Sequence, residues 1–325
     1  MNNKIQEIVE RIKSGNRFLI ATHINPDGDA IGSALALAIA LEKMSKEVVV
    51  YDRDPVPYQF RFLPTADRVV NTLENVGTFD AAFVLDCSEL DRVGQGFSQK
   101  VATKSWINID HHLTNENFAH VTLIDKDACS TGYLVYELAK ALPVEITKDM
   151  AVNIYTTIIV DTGSFRYSNS SNDAFRTAGE MVDLGVSPWD VAMHVYENQP
   201  QKRLELLSRV LNTLEVAQGG QVASVAVTKE MMKETGTGPD ETDGFVNYPR
   251  SIEGVEVAFL VREVGDMEYK ISYRSKGTVN VAAVCQTFGG GGHKNAAGCI
   301  MKGTLAEVTT RATNAVYEVL KSPCQ

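Results

Sequence analysis

Apolar residues recur along this chain at two periods, one helical and one of strands. Ile5, Ile8, Val9 and Ile12 share a helical face with Glu, Lys and Arg elsewhere, so Met1 to Lys13 reads as an amphipathic surface helix and not a signal peptide. Short β-rich runs follow at Phe18 to Ala21, Glu47 to Tyr51, Ala81 to Leu85 and Ser105 to Ile109. Helical stretches separate them, beginning with the Ala/Leu-rich segment Ala34 to Leu41. Alternation of this kind predicts a mostly parallel sheet flanked by helices. Further helices are expected at Thr131 to Leu142 behind a Ser130 cap, Lys148 to Val160, Asp173 to Leu184 and Pro188 to Tyr196.

Gln201 to Val216, with Leu204, Leu207, Val210, Leu211 and Leu214, reads as a connecting helix. Beyond it the pattern changes. Strands are expected at Gln221 to Thr228, Val255 to Val264 and Glu268 to Arg274, the last two joined by a Gly-Asp turn. Glu234 to Asp243 reads as a mobile loop, Val279 to Phe288 as a helix and Thr304 to Lys321 as a terminal amphipathic helix. The expected fold class is therefore α/β. An N-terminal domain spans 1–197, a linker helix 198–217 and a smaller C-terminal α/β domain 218–325.

Composition narrows the function. The 325 residues are 44% hydrophobic, enough for ordinary cores, and no apolar run is long enough to span a membrane. Five scattered cysteines, never in a CxxC pair, argue against structural zinc and a disulfide framework and fit a reducing cytoplasm. The formal charge of −10 leaves no evident basic track for long nucleic acid. A few local cations could still grip a small anionic substrate.

Chemistry gathers where the apolar runs end. His23, Asp27 and Asp29 follow the first run, Asp86 the third, Asp110-His111-His112 the fourth, and Asp161 closes a helix. A polar loop in which Asp29 caps a helix starting at Ala30 would explain one oxygen and leave His23 and Asp27 without a reason. In a doubly wound sheet these ends converge on one crevice. So many acids and imidazoles cannot share it without cations. Imidazole and carboxylate ligands without thiolate point to manganese, iron, cobalt or catalytic zinc. Two ions roughly 3.5–4 Å apart would suit phosphate-ester hydrolysis, activating a water and stabilising the leaving oxygen.

In the second half, Gly289 to Gly292 precede His293 and Lys294, with Arg274 and Lys276 upstream. Glycine backbone such as Gly290, Gly291 and Gly292 allows close approach to an oxyanion, and Arg offers a planar fork for phosphate. Arg274 and His293 are the first choices for substrate contact and Asn247 a weaker one. Arg92 and Arg166 could also reach phosphate or be surface ion pairs. Phe118, Tyr133, Trp106 and Trp189 are assigned to core packing.

Thr22-His23-Ile24-Asn25-Pro26-Asp27-Gly28-Asp29-Ala30-Ile31-Gly32-Ser33, Leu85-Asp86-Cys87-Ser88, Asp110-His111-His112 and Val160-Asp161-Thr162-Gly163-Ser164-Phe165 resemble, in order, the four motifs of the DHH phosphoesterases. Tyr273-Arg274-Ser275-Lys276 and Phe288 to Gly298 resemble their DHHA1 substrate domain. The layout is similar to the bacterial oligoribonuclease and adenosine bisphosphate (pAp) phosphatase subfamily. This resemblance implies two divalent ions, manganese first, with magnesium or cobalt as alternatives. One ion would take His23, Asp27 and Asp86; the other Asp29, Asp86, His111 and Asp161. Asp86, Asp110 and His112 form the expected catalytic set. His112 would contact the scissile phosphate or leaving oxygen, and Asp110 would fix an imidazole's orientation. The implied substrates are short RNA oligonucleotides and pAp, without long nucleic acid or membrane, and with a homodimer left open. A cyclic or linear dinucleotide phosphodiesterase is the alternative enzyme, and a nucleotide-binding sensor the alternative without catalysis.

Overall fold

The computed structural model describes residues 2–321 except 75, 113, 114 and 278; Cys324 and the side chain of His293 lie outside the described residues. The chain divides into two compact units, 1–198 and 199–325.

In the first unit, α1 (Asn2–Ser14) buries Ile5, Ile8, Val9 and Ile12, the stripe its spacing dictates. It is followed by β1 (Arg17–Ala21), α2 (Gly28–Lys43), β2 (Glu47–Tyr51), β3 (Thr78–Phe79), β4 (Ala81–Leu85), α3 (Phe97–Lys100), β5 (Ala102–Thr103), β6 (Trp106–Asp110) and β7 (Val121–Ile124). The helices α4 (Thr131–Lys140), α5 (Lys148–Asp161), α6 (Asn172–Asp183) and α7 (Pro188–Ala192) complete it, with a π-helical turn at Met193–Glu197. Five strands pair in parallel in the order β2-β1-β4-β6-β7, while β3 and β5 form a small separate ladder.

Alternate residues of the sheet serve opposite faces, as the strand period requires. Phe18, Ile20, Phe83, Leu85, Ile107 and Ile109 join the large core beneath α1, α2, α4, α5 and α6. Leu19, Ala21, Ala82 and Val84 join a smaller one with Phe97 and Val101. The long helix α2 is apolar nearly all round because α4 and α5 pack over it. Gly32 makes this possible, since a Cβ there would lie 2.6 Å from Thr157 Cγ2 and 2.8 Å from the Asn153 carbonyl oxygen. One aromatic expectation fails. Trp189 is 64% exposed, because the short α7 turns it away from the core that Val191 enters.

The second unit comprises α8 (Gln201–Leu211), β8 (Glu215–Ala217), β9 (Val222–Val227), α9 (Lys229–Thr235), α10 (Asn247–Arg250), β10 (Val257–Gly265), β11 (Glu268–Ser275), α11 (Val281–Gln286), β12 (Gly291–His293), β13 (Ala296–Lys302) and α12 (Leu305–Lys321). Its sheet runs β12-β13-β11-β10-β9-β8, with only β9 and β10 parallel. Val257, Phe259 and Val261 pack with Val281, Val308 and Val316 on one face; Ala258 and Leu260 pack with Leu206, Leu207 and Val210 on the other.

Three elements depart from the sequence reading. The expected linker helix stops at Leu211 and belongs to this core, while Glu215–Ala217 pairs with β9 as a strand. The expected loop 234–243 begins inside α9, which Thr228 caps through Met231 N and Gly236 ends at φ +62°. A 3-10 turn, Pro239–Thr242, follows. The glycine run is half strand, since Gly291–His293 forms the edge of the sheet.

Candidate active site

The carboxyl ends of β1, β4 and β6 lie side by side in the first unit, and each delivers a titratable group. After β1 the chain turns through His23 and reaches Asp27, the N-cap of α2. One oxygen of Asp27 accepts the backbone N–H groups of Asp29 and Ala30, both at 3.0 Å. Asp27, rather than Asp29, is thus the capping residue.

Asp29 instead points into the interior, almost fully buried. It accepts Thr131 N–H at 2.7 Å and Gly132 N–H at 3.0 Å, from the first turn of α4, and the Ser33 hydroxyl at 3.1 Å. A helix N-terminus, with its unpaired N–H groups and positive dipole end, suits a buried carboxylate. Asp86 follows β4 with φ +54°, a conformation Asp tolerates better than most residues but which marks a place of local strain. Its N–H still bonds the Ile109 carbonyl at 3.0 Å, and its Oδ1 accepts the Thr131 hydroxyl at 3.1 Å.

Asp110, His111 and His112 continue from the last residue of β6. Asp110 is fully buried, and its Oδ1 accepts the N–H groups of His111 and His112 and lies 2.5 Å from His112 Nδ1. Asn115 donates to its other oxygen at 2.6 Å. Asp161 ends α5, its Oδ2 accepting Asn169 Nδ2 at 3.0 Å.

The histidine rings are oriented by what their Nδ1 atoms meet. His23 Nδ1 lies 3.0 Å from the Ile24 carbonyl and His111 Nδ1 3.1 Å from that of Ala128. Each contact requires a proton on Nδ1 and leaves Nε2 as the electron-pair donor of the neutral ring. His23 Nε2 lies 3.4 Å from Asp86 Oδ2. His111 Nε2 lies 3.7 Å from each of Asp29 Oδ2, Asp86 Oδ1 and Asp161 Oδ2.

The three contacts of His111 fit a cation better than hydrogen bonds. Contacts of 3.7 Å are too long for an N–H···O bond. Two donors each about 2.1 Å from one ion, by contrast, lie roughly 3–3.5 Å apart. Among the described residues three donor groups come near enough together to close on a cation, their atoms all within 4.8 Å of one another: His23 with Asp27 and Asp86, Asp29 with His111 and Asp161, and Asp86 with His111 and His112. Thiolates take no part. Burial pushes the thiols of Cys87 and Cys129 up to about 12.

The electrostatics of the metal-free cluster show the same need. Burial, then the charges of Asp86 and Asp161, holds the Asp29 carboxyl well above its ordinary range. Burial raises Asp161 to about 7 despite His111. Asp86 is as buried as Asp29 yet stays below the usual carboxylate range, because the His23 hydrogen bond and the imidazoles of His112, His23 and His111 outweigh desolvation. Burial alone would depress His23 and His111, but Asp86 and Asp27 lift the former to about 9, and Asp161, Asp29 and Asp86 lift the latter. Protons thus hold these carboxylates together where no cation does.

The expected contacts of the second unit are differently placed. Arg274 on β11 and His293 on β12 both register with Ala296 of β13, so their backbones stand level two strands apart. Gly290, Gly291 and Gly292 lead into that edge. Asn247 opens α10 on another part of the sheet, with its Oδ1 buried and without a hydrogen-bond partner. Sequence reasoning missed Thr131, Asn115 and Asn169, each of which holds an expected site carboxylate. The Ser130-Thr131 pair opening α4 is the signal that could have found Thr131.

Residues 17–164 match the DHH family N-terminal domain and residues 219–322 the DHHA1 domain. A bifunctional oligoribonuclease and PAP phosphatase NrnA from Thermus thermophilus is 35% identical, covering 98% of this chain and 94% of its own. The chain belongs to the DHH family. Another protein of that name, from Bacillus subtilis, is 25% identical over 90% of this chain and 91% of its own. The crystal structure of an exopolyphosphatase-related protein from Bacteroides fragilis superposes on this DHH chain with a TM-score of 0.89, at 28% identity, covering 98% of this chain and 96% of its own. DHH proteins are metal-dependent phosphohydrolases, and this chain is a phosphoesterase of that family. No helix among its described residues is long and apolar enough to cross a membrane.

Proposed function

We propose that this phosphoesterase hydrolyses short oligoribonucleotides to mononucleotides and removes a phosphate from pAp, using two divalent ions, manganese first. The observation that carries the reading is the position of Asp86. Its Oδ2 faces His23 and its Oδ1 faces His111, so one carboxylate reaches two donor groups. His23, Asp27 and Asp86 would hold one ion, and Asp29, Asp86, His111 and Asp161 the other. When bound, such a pair polarises the phosphate and lowers the pKa of a water positioned for attack.

The chain's own residues account for the rest. Water attacks phosphorus, the bond to the leaving oxygen breaks, and that oxygen needs a proton. With Nδ1 given to Asp110, the proton His112 offers must come from Nε2. Asp110 does not touch substrate in this scheme; it fixes the ring and favours its protonated form. Arg274, Asn247, His293 and the backbone of Gly290 to Gly292 would bind a phosphate or nucleotide end. The names of the relatives from Thermus thermophilus and Bacillus subtilis support this substrate class.

Turnover with Mn2+ across pAp, linear dinucleotides, RNA of about twenty nucleotides, cyclic dinucleotides and pyrophosphate tests the reading. Fast cleavage of pAp and of the shortest RNA, falling on long RNA for want of a phosphate-tracking surface, is the expected result. Arg274→Ala should raise KM for the short substrates without changing metal content. A preference for long RNA or for pyrophosphate would overturn it.

A further inference from the structure

The loop that carries His23 and Asp27 is gripped from outside by two carboxylates that stand apart from the proposed ligands. Ala21 and Tyr51 are the last register pair between β1 and β2, so Thr22 and Asp52 leave the sheet beside each other. Asp52 is almost fully buried, and both its oxygens are used: one accepts the Thr22 hydroxyl in a short bond, the other Asp54 N–H at 2.9 Å. Its backbone is pinned as well, its N–H on the Val70 carbonyl and its carbonyl on Asn71 Nδ2. Asp54 in turn accepts Asn25 N–H at 2.8 Å, where Asn25 sits at φ +53°. Thr22 and Asn25 bracket His23, which leaves the loop little freedom to carry Nε2 away from Asp86.

A buried carboxylate on a sheet edge is a poor device for stability alone. Apolar residues of similar volume commonly serve a fold as well or better. Its hydrogen bonds instead run to the segment that aims a metal donor. The geometry points to Asp52 as a positioning residue for the ion held by His23 and Asp27, acting through Thr22 and, by way of Asp54, through Asn25. This rests on the two-ion reading of the site. The clamp leaves the donor set around Asp29, His111 and Asp161 alone, so its loss is selective.

Mn2+ titration of the metal-free full-length protein, by calorimetry with electron paramagnetic resonance counting of bound ions, tests this together with the thermal midpoint in chelator. Asp52→Leu removes both acceptors, and Thr22→Val removes one bond from the other side and decides the matter should Asp52→Leu not fold. Each is expected to weaken one of two Mn2+ ions by tenfold or more, the scale seen when the support of a metal ligand is lost. The other ion and the metal-free midpoint should change little. Asp52→Asn, which can still accept from Asp54 N–H and bond the Thr22 hydroxyl, should restore most of the affinity. Unchanged Mn2+ affinity in Thr22→Val and Asp52→Leu would overturn the proposal. So would a weakening of both ions in step with a falling midpoint, which is the mark of a structural role. A wild-type protein that binds fewer than two Mn2+ ions would overturn the two-ion reading itself, and the clamp with it.

Discussion

His112 Nδ1 lies 2.5 Å from Asp110 Oδ1, and the same oxygen accepts the His112 backbone N–H at 3.2 Å. One buried carboxylate therefore fixes both the ring and the chain of its partner, with Asn115 holding its second oxygen. Asp110→Asn should keep the shape but lose the charge that favours a protonated ring. We expect kcat to fall about 10- to 100-fold with both Mn2+ ions retained. His112→Ala should lower turnover strongly and also keep two ions. Loss of one ion from His112→Ala, measured by metal analysis, would make His112 a ligand.

Asp161 should cost the metal-free protein stability at neutral pH. Its carboxyl is raised from 3.8 to about 7, chiefly by burial, so the folded chain prefers it protonated. The stability tied to that proton is present at low pH and is lost as pH climbs from about 4 through 7. Asp161→Asn removes the loss. In chelator at pH 8 its midpoint should exceed the parent's by a few degrees, ~1–2 kcal/mol after allowing for solvent screening, and the gap should close near pH 4. With Mn2+ the order should reverse, because the variant gives up a proposed ligand. A midpoint equal to or below the parent's in chelator at pH 8 would contradict this account.

Loading with metal should release protons. Neighbouring carboxylates raise His23 to about 9 and hold His111 above its ordinary value, so both rings are protonated at pH 7 without metal. Ligation needs the Nε2 lone pair. Mn2+ affinity should therefore rise with pH up to about 9, as the Nε2 proton becomes easier to displace. Calorimetry in two buffers of different ionisation enthalpy reads the release directly; identical heats in both would refute it.

The four glycines of the run Gly289 to Gly292 are not equivalent. A Cβ on Gly290 would lie 2.3 Å from the Gly298 carbonyl oxygen and 2.8 Å from Cys299 Cα, both backbone atoms that cannot step aside. At Gly291 nothing lies within 4 Å. Gly290→Ala should destabilise the protein by ~1–3 kcal/mol, as overpacking does. Gly291→Ala should leave the midpoint within about 0.5 kcal/mol of the parent. If the Gly291 backbone approaches substrate phosphate, Gly291→Ala will raise KM alone, which separates binding from packing at neighbouring positions.

Much of this protein is legible in its residue order, because periodicity and capping are local. The runs at Glu47–Tyr51 and Ala81–Leu85 are strands to the residue, and Ser130 caps α4 where its spacing says it should. The gathering of the acids and imidazoles could also be read, since in a parallel sheet every strand end must open on the same edge. What the order of residues hides is pairing at a distance. The strand Ala296–Lys302 is full of small residues, and only its neighbours β11 and β12 make it one. The helix Gln201–Leu211 shows an apolar stripe, yet nothing in the stripe says that it lies against Ala223 and Val225. Asp29 meets Thr131 across 102 positions, and Asp52 meets Thr22 across 30. Local chemistry thus determined which side chains could hold a metal. Chain closure alone decided which oxygen faces which imidazole, because a hydrogen bond is directional and its partner arrives only when distant strands are packed together.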